Sequence, residues 1–307
     1  MTQEKFIIQK RIDTVGSNVT RLLAIALLIL VIAIFCQLLW ASLPSIQKFG
    51  WSFLISSKWN PVKENFGALG PIYGTLMSSL IALLIAVPIS FGIAIFLIEL
   101  APWWLGQFLR ILVELLAGIP SIIYGMWGLF ALAPFLAERV QPWLINHLGQ
   151  LKFIGLLFQG VPLGIGILTA GIVLSIMVIP FIASVMRDVF EIVPDILKES
   201  AYGLGATRWE VIWNVILPYS KKGIVGAVVL GLGRALGETM AVAFVIGNAH
   251  QFSLSLLMPG SSITSVLANE YTEATGTIYN ASLSQLGLIL FIITFLILIA
   301  SKIMLRR

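Results

Sequence analysis

Residues 22–41 carry no charge, and apolar runs of comparable length recur along the chain. Inside a bilayer every backbone N–H and C=O must be satisfied within the segment, so such runs form helices of about 20 residues each. The runs place six spans, at residues 22–41, 75–98, 108–136, 161–186, 223–247 and 283–300. The expected fold class is therefore an all-α polytopic membrane protein with six transmembrane helices. A soluble globular domain is excluded, because 59% of residues are hydrophobic and only 11% charged. The first run is longer than the roughly 7 to 15 residues of a signal-peptide core, so it reads as an uncleaved helix after a polar segment, residues 1–20.

Six spans put both ends of the chain on one side, and the basic residues choose which. With the ends inside, thirteen Lys and Arg lie in the cytoplasm and five outside, the latter being Lys48, Lys58, Lys63, Arg139 and Lys152, while Arg234 stays in the membrane. This asymmetry follows the positive-inside rule and fixes both termini as cytoplasmic. It also accounts for the net charge of +5. Basic residues do not cluster with exposed aromatics on a soluble domain, so the expected partner is the lipid bilayer and no nucleic acid.

Residues 187–222 are too charged to span, since Glu199, Arg208, Glu210, Lys221 and Lys222 interrupt them. Pro194 and Asp195 open a short helix, and Gly203 and Gly205 close it. Thr207 and Glu210 then have the spacing of a capping box. Behind it Trp209, Ile212, Trp213 and Ile216 fall at i, i+3, i+4 and i+7, which predicts one face bearing two indoles, and Pro218 is expected to end the helix. An amphipathic helix resting on the membrane surface is the alternative, but it needs no glycine break followed by a new cap.

Residues 223–247 hold Arg234 near the middle and Glu238 four residues on. On one continuous helix Ala227, Gly231, Arg234, Glu238 and Ala241 share a face that is small and charged, suited to a protein interior or a watery pathway and not to lipid. A guanidinium binds phosphate-like oxyanions by paired charge-assisted hydrogen bonds. Glu238 is expected to neutralise Arg234 when the pathway is empty, and to accept a hydrogen bond from a protonated oxyanion. The structural alternative is a salt bridge that locks neighbouring helices. Arg110 and Glu114 are read as an i,i+4 pair at the cytoplasmic interface, and Glu270 and Glu273 as a partner contact or a solvated face.

Glu199, Ser200, Ala201, Gly205, Val215, Leu217 and Pro218 resemble the cytoplasmic motif of ABC-importer permeases: EAA, three residues, G, nine residues, I, one residue, LP. The chain departs from it at Ser200 and Val215, both small changes. The runs LGRALGETMAV, IPSIIYGMWGLF and ITSVLANEY narrow the resemblance to the permeases of phosphate-specific ABC importers. That resemblance implies one six-helix permease domain, residues 21–307, with cytoplasmic coupling helices at 187–222. It implies a bacterial inner-membrane location and coupling to an ATPase through Glu199, Ala201, Gly205, Trp209, Leu217 and Pro218. It implies phosphate passage along Arg234 and Glu238. The implied partners are a second permease, PstA-like, an ATPase dimer, PstB-like, and a periplasmic phosphate-binding protein, PstS-like.

No Gly-Lys pair occurs anywhere, so no P-loop is present and the chain is not expected to be an enzyme. No cofactor is expected on this chain, with ATP and magnesium on the partner ATPase. His147 and His250 read as solvated loop histidines without metal-ligand neighbours, and Cys36 as a small hydrophobe. Ser121 has no base near it in the membrane. Other readings are the same machinery for a different oxyanion, an ion-coupled secondary transporter, and a membrane sensor of phosphate supply. A secondary transporter would move solute without ATP, and a sensor would still signal when its transport is dead.

Overall fold

The computed structural model describes residues 3–152 and 154–306, and side chains between residues 13 and 303. The basic side chains of Lys5, Lys10, Arg11, Arg306 and Arg307, used above in the charge balance, lie outside the side chains described. Helices dominate, and among the described residues six of them are long and apolar enough to cross a membrane.

Helix α1 (Gln3–Phe49) runs without interruption past both predicted ends of the first span, through residues 3–20 and through Pro44. None of its most apolar stretch is buried by the rest of the chain, so that surface is left for lipid or another subunit. Near its far end Ser45 donates to Gln285 Oε1 at 2.6 Å and meets Ser282 at 3.1 Å, tying α1 to the last helix. Such hydroxyl contacts hold helices together where lipid removes the hydrophobic drive for association.

Helix α2 (Leu69–Leu100) ends in a π-helical turn, Phe96–Leu100. After Pro102 comes α3 (Trp103–Ala117), a separate amphipathic helix, and after Gly118 to Pro120 comes α4 (Ser121–His147). This corrects the third span. One bent span over 108–136 was expected, but Gly118 and Pro120 break the chain fully: Pro120 is extended, with ψ 136°, and the spanning helix starts at Ser121. The segment expected as a loop between the third and fourth spans therefore begins as helix, to His147.

Helix α5 (Ile167–Glu191) is the centre of the bundle, with 67% of its most apolar stretch buried. It starts six residues later than expected. Gly164 and Gly166 precede it in the loop, and only Gly171 lies in the helix, where an added Cβ would meet Ile81 Cγ2 at 2.6 Å. Against α5 pack Ala82, Ala86 and Ala94 of α2, and Ser90 Oγ donates to Ile179 O at 2.9 Å.

Helix α6 (Asp195–Gly203) and the start of α7 (Arg208–Gly237) form the element between spans four and five. Pro218 does not end the second helix. A π turn, Ile212–Ile216, directly precedes it, where the regular hydrogen-bond ladder is already interrupted, and the chain continues as α-helix to Gly237. Gly231 of α7 is required by close approach, since a Cβ there would sit 2.5 Å from Ile182 of α5.

Helix α8 (Met240–Val245), α9 (Ile263–Glu270) and α10 (Thr277–Arg306) complete the fold. The loops at 50–68, 148–166 and 247–276 touch one another on one face, for example through Trp59 Nε1 and Glu270 Oε2 at 2.8 Å and Ser255 Oγ and Leu157 O at 3.3 Å. The element at 187–222 and helix α3 lie at the other, terminal face, joined by Arg110 and Glu191 at 3.3 Å.

Candidate functional site

Two candidate regions lie along α7, the 187–222 element at its start and the Arg234–Glu238 seam at its end. At the start, α6 closes on Gly203, and Gly205 turns the chain with φ +89°, a conformation glycine adopts without strain. The capping box forms as expected: Thr207 N donates to Glu210 Oε2 at 2.7 Å, and Glu210 N to Thr207 Oγ1 at 3.4 Å. The face beyond it differs from the expectation. Val211, Ile212 and Ile216 are buried against the bundle, while Trp209 and Trp213 are 57% and 59% exposed. The two indoles share a surface with each other and not with the isoleucines, so the helix packs by its aliphatic side and presents its aromatic side outward.

Of the motif residues, Ala201 and Leu217 pack on the core, Glu199, Trp209 and Pro218 are exposed, and Gly205 makes the turn. Leu204 between the helices is 91% exposed, with Ile192 and Ile196 exposed nearby in sequence. An apolar surface in water at this place calls for a partner.

Two ionic anchors fix the element, and neither was found from the sequence. Lys198 of α6 meets Glu99, in the π turn of α2, at 3.1 Å, with only 14% and 11% of the two side chains exposed. Arg187 is buried at the end of α5 and bonds Glu114 at 3.2 Å and Asp188 at 2.7 Å, with Glu191 at 3.9 Å. The expected Arg110 and Glu114 pair is present at 3.5 Å and is one edge of this network. The signal was available: a lone charge at the end of an apolar run is costly to bury unless it finds an opposite one.

At the other end of α7 the continuous helical face through Ala241 does not form. The helix stops at Gly237, Glu238 is extended with ψ 127°, and α8 begins at Met240. Glu238 is thereby swung away from Arg234. Its Oε1 accepts the Ala241 N–H at 3.2 Å, covering one of the free donors at the start of α8. Its carbonyl accepts the Thr264 hydroxyl at 2.7 Å, from the first turn of α9. The expected self-neutralising pair is absent: among the described residues Arg234 has no ion pair or hydrogen bond. Its guanidinium lies over the Phe181 ring of α5, 5.4 Å from the centroid, and is exposed at the surface of the chain.

On the opposite face Glu270 is only 15% exposed, and it accepts from Trp59 Nε1 at 2.8 Å and from Tyr279 OH at 2.5 Å. His250, expected as a solvated loop residue, reaches it at 3.4 Å. Glu270 is thus a structural hub and no solvated patch.

The family described as binding-protein-dependent transport system inner membrane component matches residues 86–307. The phosphate transport system permease protein PstC of Pasteurella multocida is 56% identical over 296 residues, 96% of this chain and 92% of its own. The chain belongs to the PstC family of transport permeases. The PstC protein of Haemophilus influenzae is 55% identical, over 99% of this chain and 96% of its own. The fold agrees: a chain of the MetNI methionine ABC transporter, in inward-facing conformations, superposes with a TM-score of 0.54 at 19% identity, over 78% of this chain and 93% of that one. As a PstC-family permease the chain is a multi-pass inner-membrane protein, a translocation subunit that works with an ATPase and a substrate-binding protein.

Proposed function

We propose that this chain is the permease subunit of an ATP-driven importer of inorganic phosphate, and that Arg234 is the cationic group the anion passes. The observation that carries the site is the unpaired guanidinium beside a break in the spanning helix. A structural salt bridge would have consumed it, whereas here, among the described residues, its donors have no partner, on the surface where a second permease would close a pathway. Stacking on Phe181 leaves the edge of the guanidinium available for a bidentate contact with phosphate oxygens.

Glu238 contributes differently from a counter-ion. One carboxylate oxygen is engaged by Ala241 N–H, and the other can accept from a protonated phosphate oxygen, which sulfate does not offer. The close relatives carry phosphate in their names, which supports phosphate over another oxyanion.

The terminal face is the cytoplasmic one in this reading, supported by thirteen basic residues against five. The exposed Leu204, Trp209 and Trp213 then form the seat of a PstB-like ATPase dimer, which carries ATP and magnesium. The Lys198 and Glu99 pair passes movement of α6 to α2. A PstA-like permease completes the pathway, and a PstS-like protein delivers phosphate from the periplasm.

The deciding experiment is phosphate uptake by the assembled importer carrying Arg234→Lys or Glu238→Gln. Loss of uptake with intact assembly supports the reading. Normal uptake in both variants removes Arg234 and Glu238 from the pathway, and uptake of an unrelated solute without phosphate transport removes the substrate.

A further inference from the structure

We propose that the face opposite the termini carries a second phosphate site, an outer vestibule that holds the hydrated anion before it reaches Arg234. The inference rests on the reading that phosphate is the solute and that this face is the outer one. A cavity of about 670 Å³ opens there, with Lys58, Lys63, Asn60, Asn65, His250 and Gln251 in its wall. A volume of this order is in the range of ligand sites and exceeds a bare oxyanion, so the ion is held with its water.

The charge of the wall is what selects the ligand. Lys48 and Lys198 are each paired, with Glu64 at 3.0 Å and Glu99 at 3.1 Å, but Lys58 and Lys63 have no ion pair among the described residues. Among the described residues no carboxylate lines the cavity. Glu64, next to Lys63 in the chain, is engaged by Lys48, and Glu270, which contacts the wall residues Trp59 and His250, is engaged by these and by Tyr279. The lysines therefore face the cavity without neutralisation, and a concave wall of one sign concentrates the opposite ion.

The neutral groups are arranged as donors too. The Lys63 N–H occupies Asn60 Oδ1 at 3.0 Å, which leaves the Asn60 amide NH₂ free to donate. Paired backbone bonds between Asn60 and Asn65, at 2.8 and 3.1 Å, hold that segment in shape. His250 is stacked on Trp59 and fixed by Glu270, so the imidazole is a placed wall and not a loose loop residue. Ammonium and amide donors without a carboxylate suit an oxyanion and repel a metal ion. The site also adjoins the pathway in the chain: α8, which begins just past Glu238, ends at Val245, the backbone of Gly247 then bridges Gly260, and His250 follows.

The test is equilibrium binding of radiolabelled inorganic phosphate to the importer assembled without its binding protein, in nanodiscs of phosphatidylcholine. An Arg234→Gln background silences the inner site, so failure of this proposal and failure of the Arg234 reading are separate outcomes. The Arg234→Gln importer is expected to bind phosphate saturably, and adding Lys58→Gln and Lys63→Gln is expected to weaken that binding roughly tenfold or more. Lys152→Gln in place of the two, a basic residue of the same face outside the cavity wall, leaves it unchanged. Both lysines are exposed, and elution as an intact complex shows that the variants fold. Absence of binding in the Arg234→Gln background, or indifference to Lys58 and Lys63, overturns the proposal. So does displacement of phosphate by phosphatidylglycerol in the discs, which would assign the cavity to a lipid headgroup. Lysine variants that lose only binding-protein recruitment, with phosphate affinity unchanged, overturn it as well.

Discussion

Arg187 and Arg234 are the same side chain near the ends of two adjacent helices, in opposite circumstances. Arg187 is 5% exposed and lies within 4 Å of three carboxylates, on Glu114, Asp188 and Glu191. Arg234 is exposed, meets no carboxylate within that reach among the described residues, and rests on a ring. A buried cation must be matched by the protein itself, whereas an unmatched one at an open surface is available to something that arrives. The difference separates a residue that holds the terminal face together from one that can handle a moving anion.

The comparison is tested most severely by exchanging the losses. Arg187→Met is expected to destabilise the permease by about 1–3 kcal/mol, since it removes charge-assisted bonds to carboxylates that are about half exposed, and to lower its amount in the membrane. Arg234→Gln is expected to leave the amount and the unfolding temperature nearly unchanged while removing phosphate uptake. Thermal unfolding in detergent beside uptake in cells checks both, and the contrast fails if Arg234→Gln proves the more damaging to stability.

A smaller effect is expected from the second anchor. Lys198→Met should uncouple the α6 element from α2, so that the assembled importer still hydrolyses ATP but moves less phosphate for each ATP. The ratio of uptake to hydrolysis in proteoliposomes reads this directly, and an unchanged ratio would show that the Lys198 and Glu99 pair is only a local tie. Trp209→Ala should weaken ATPase association while leaving the folded permease intact, because the indole is largely exposed here; a pull-down at rising salt measures it.

The least change is expected at Thr264. Thr264→Val removes the hydroxyl that holds the Glu238 carbonyl, a bond worth about 1 kcal/mol, and should raise the phosphate concentration needed for half-maximal uptake with little loss of stability. Thr264→Ser keeps the hydroxyl and should behave as the unmodified chain. If valine and serine are equivalent, the break after Gly237 does not depend on α9.

The spans were legible because bilayer and backbone impose a length and an absence of charge that can be counted along one dimension. The Thr207 cap was legible for a similar reason, its partner lying three residues away. The third span was misplaced because hydropathy does not register a chain break: Gly118 and Pro120 looked like a bend, and only the extended backbone at Pro120 separates α3 from α4. Arg234 and Glu238 stood out as the charges of the expected fifth span, yet their relation was read from an unbroken helix, which stops at Gly237. Helical periodicity assumes that the helix continues, and GLGRALGET has no proline to announce its end.

Sequence alone determined that this chain is an all-helical membrane protein, which faces of its helices must avoid lipid, and which charges demand an explanation. Those follow from local rules: backbone satisfaction, residue spacing and the cost of charge in hydrocarbon. The pairing of Lys198 with Glu99, the engagement of Glu270 and the isolation of Arg234 were decided by tertiary structure. Each depends on which distant segment reaches the charge first, and Coulomb attraction acts through space without regard to separation along the chain.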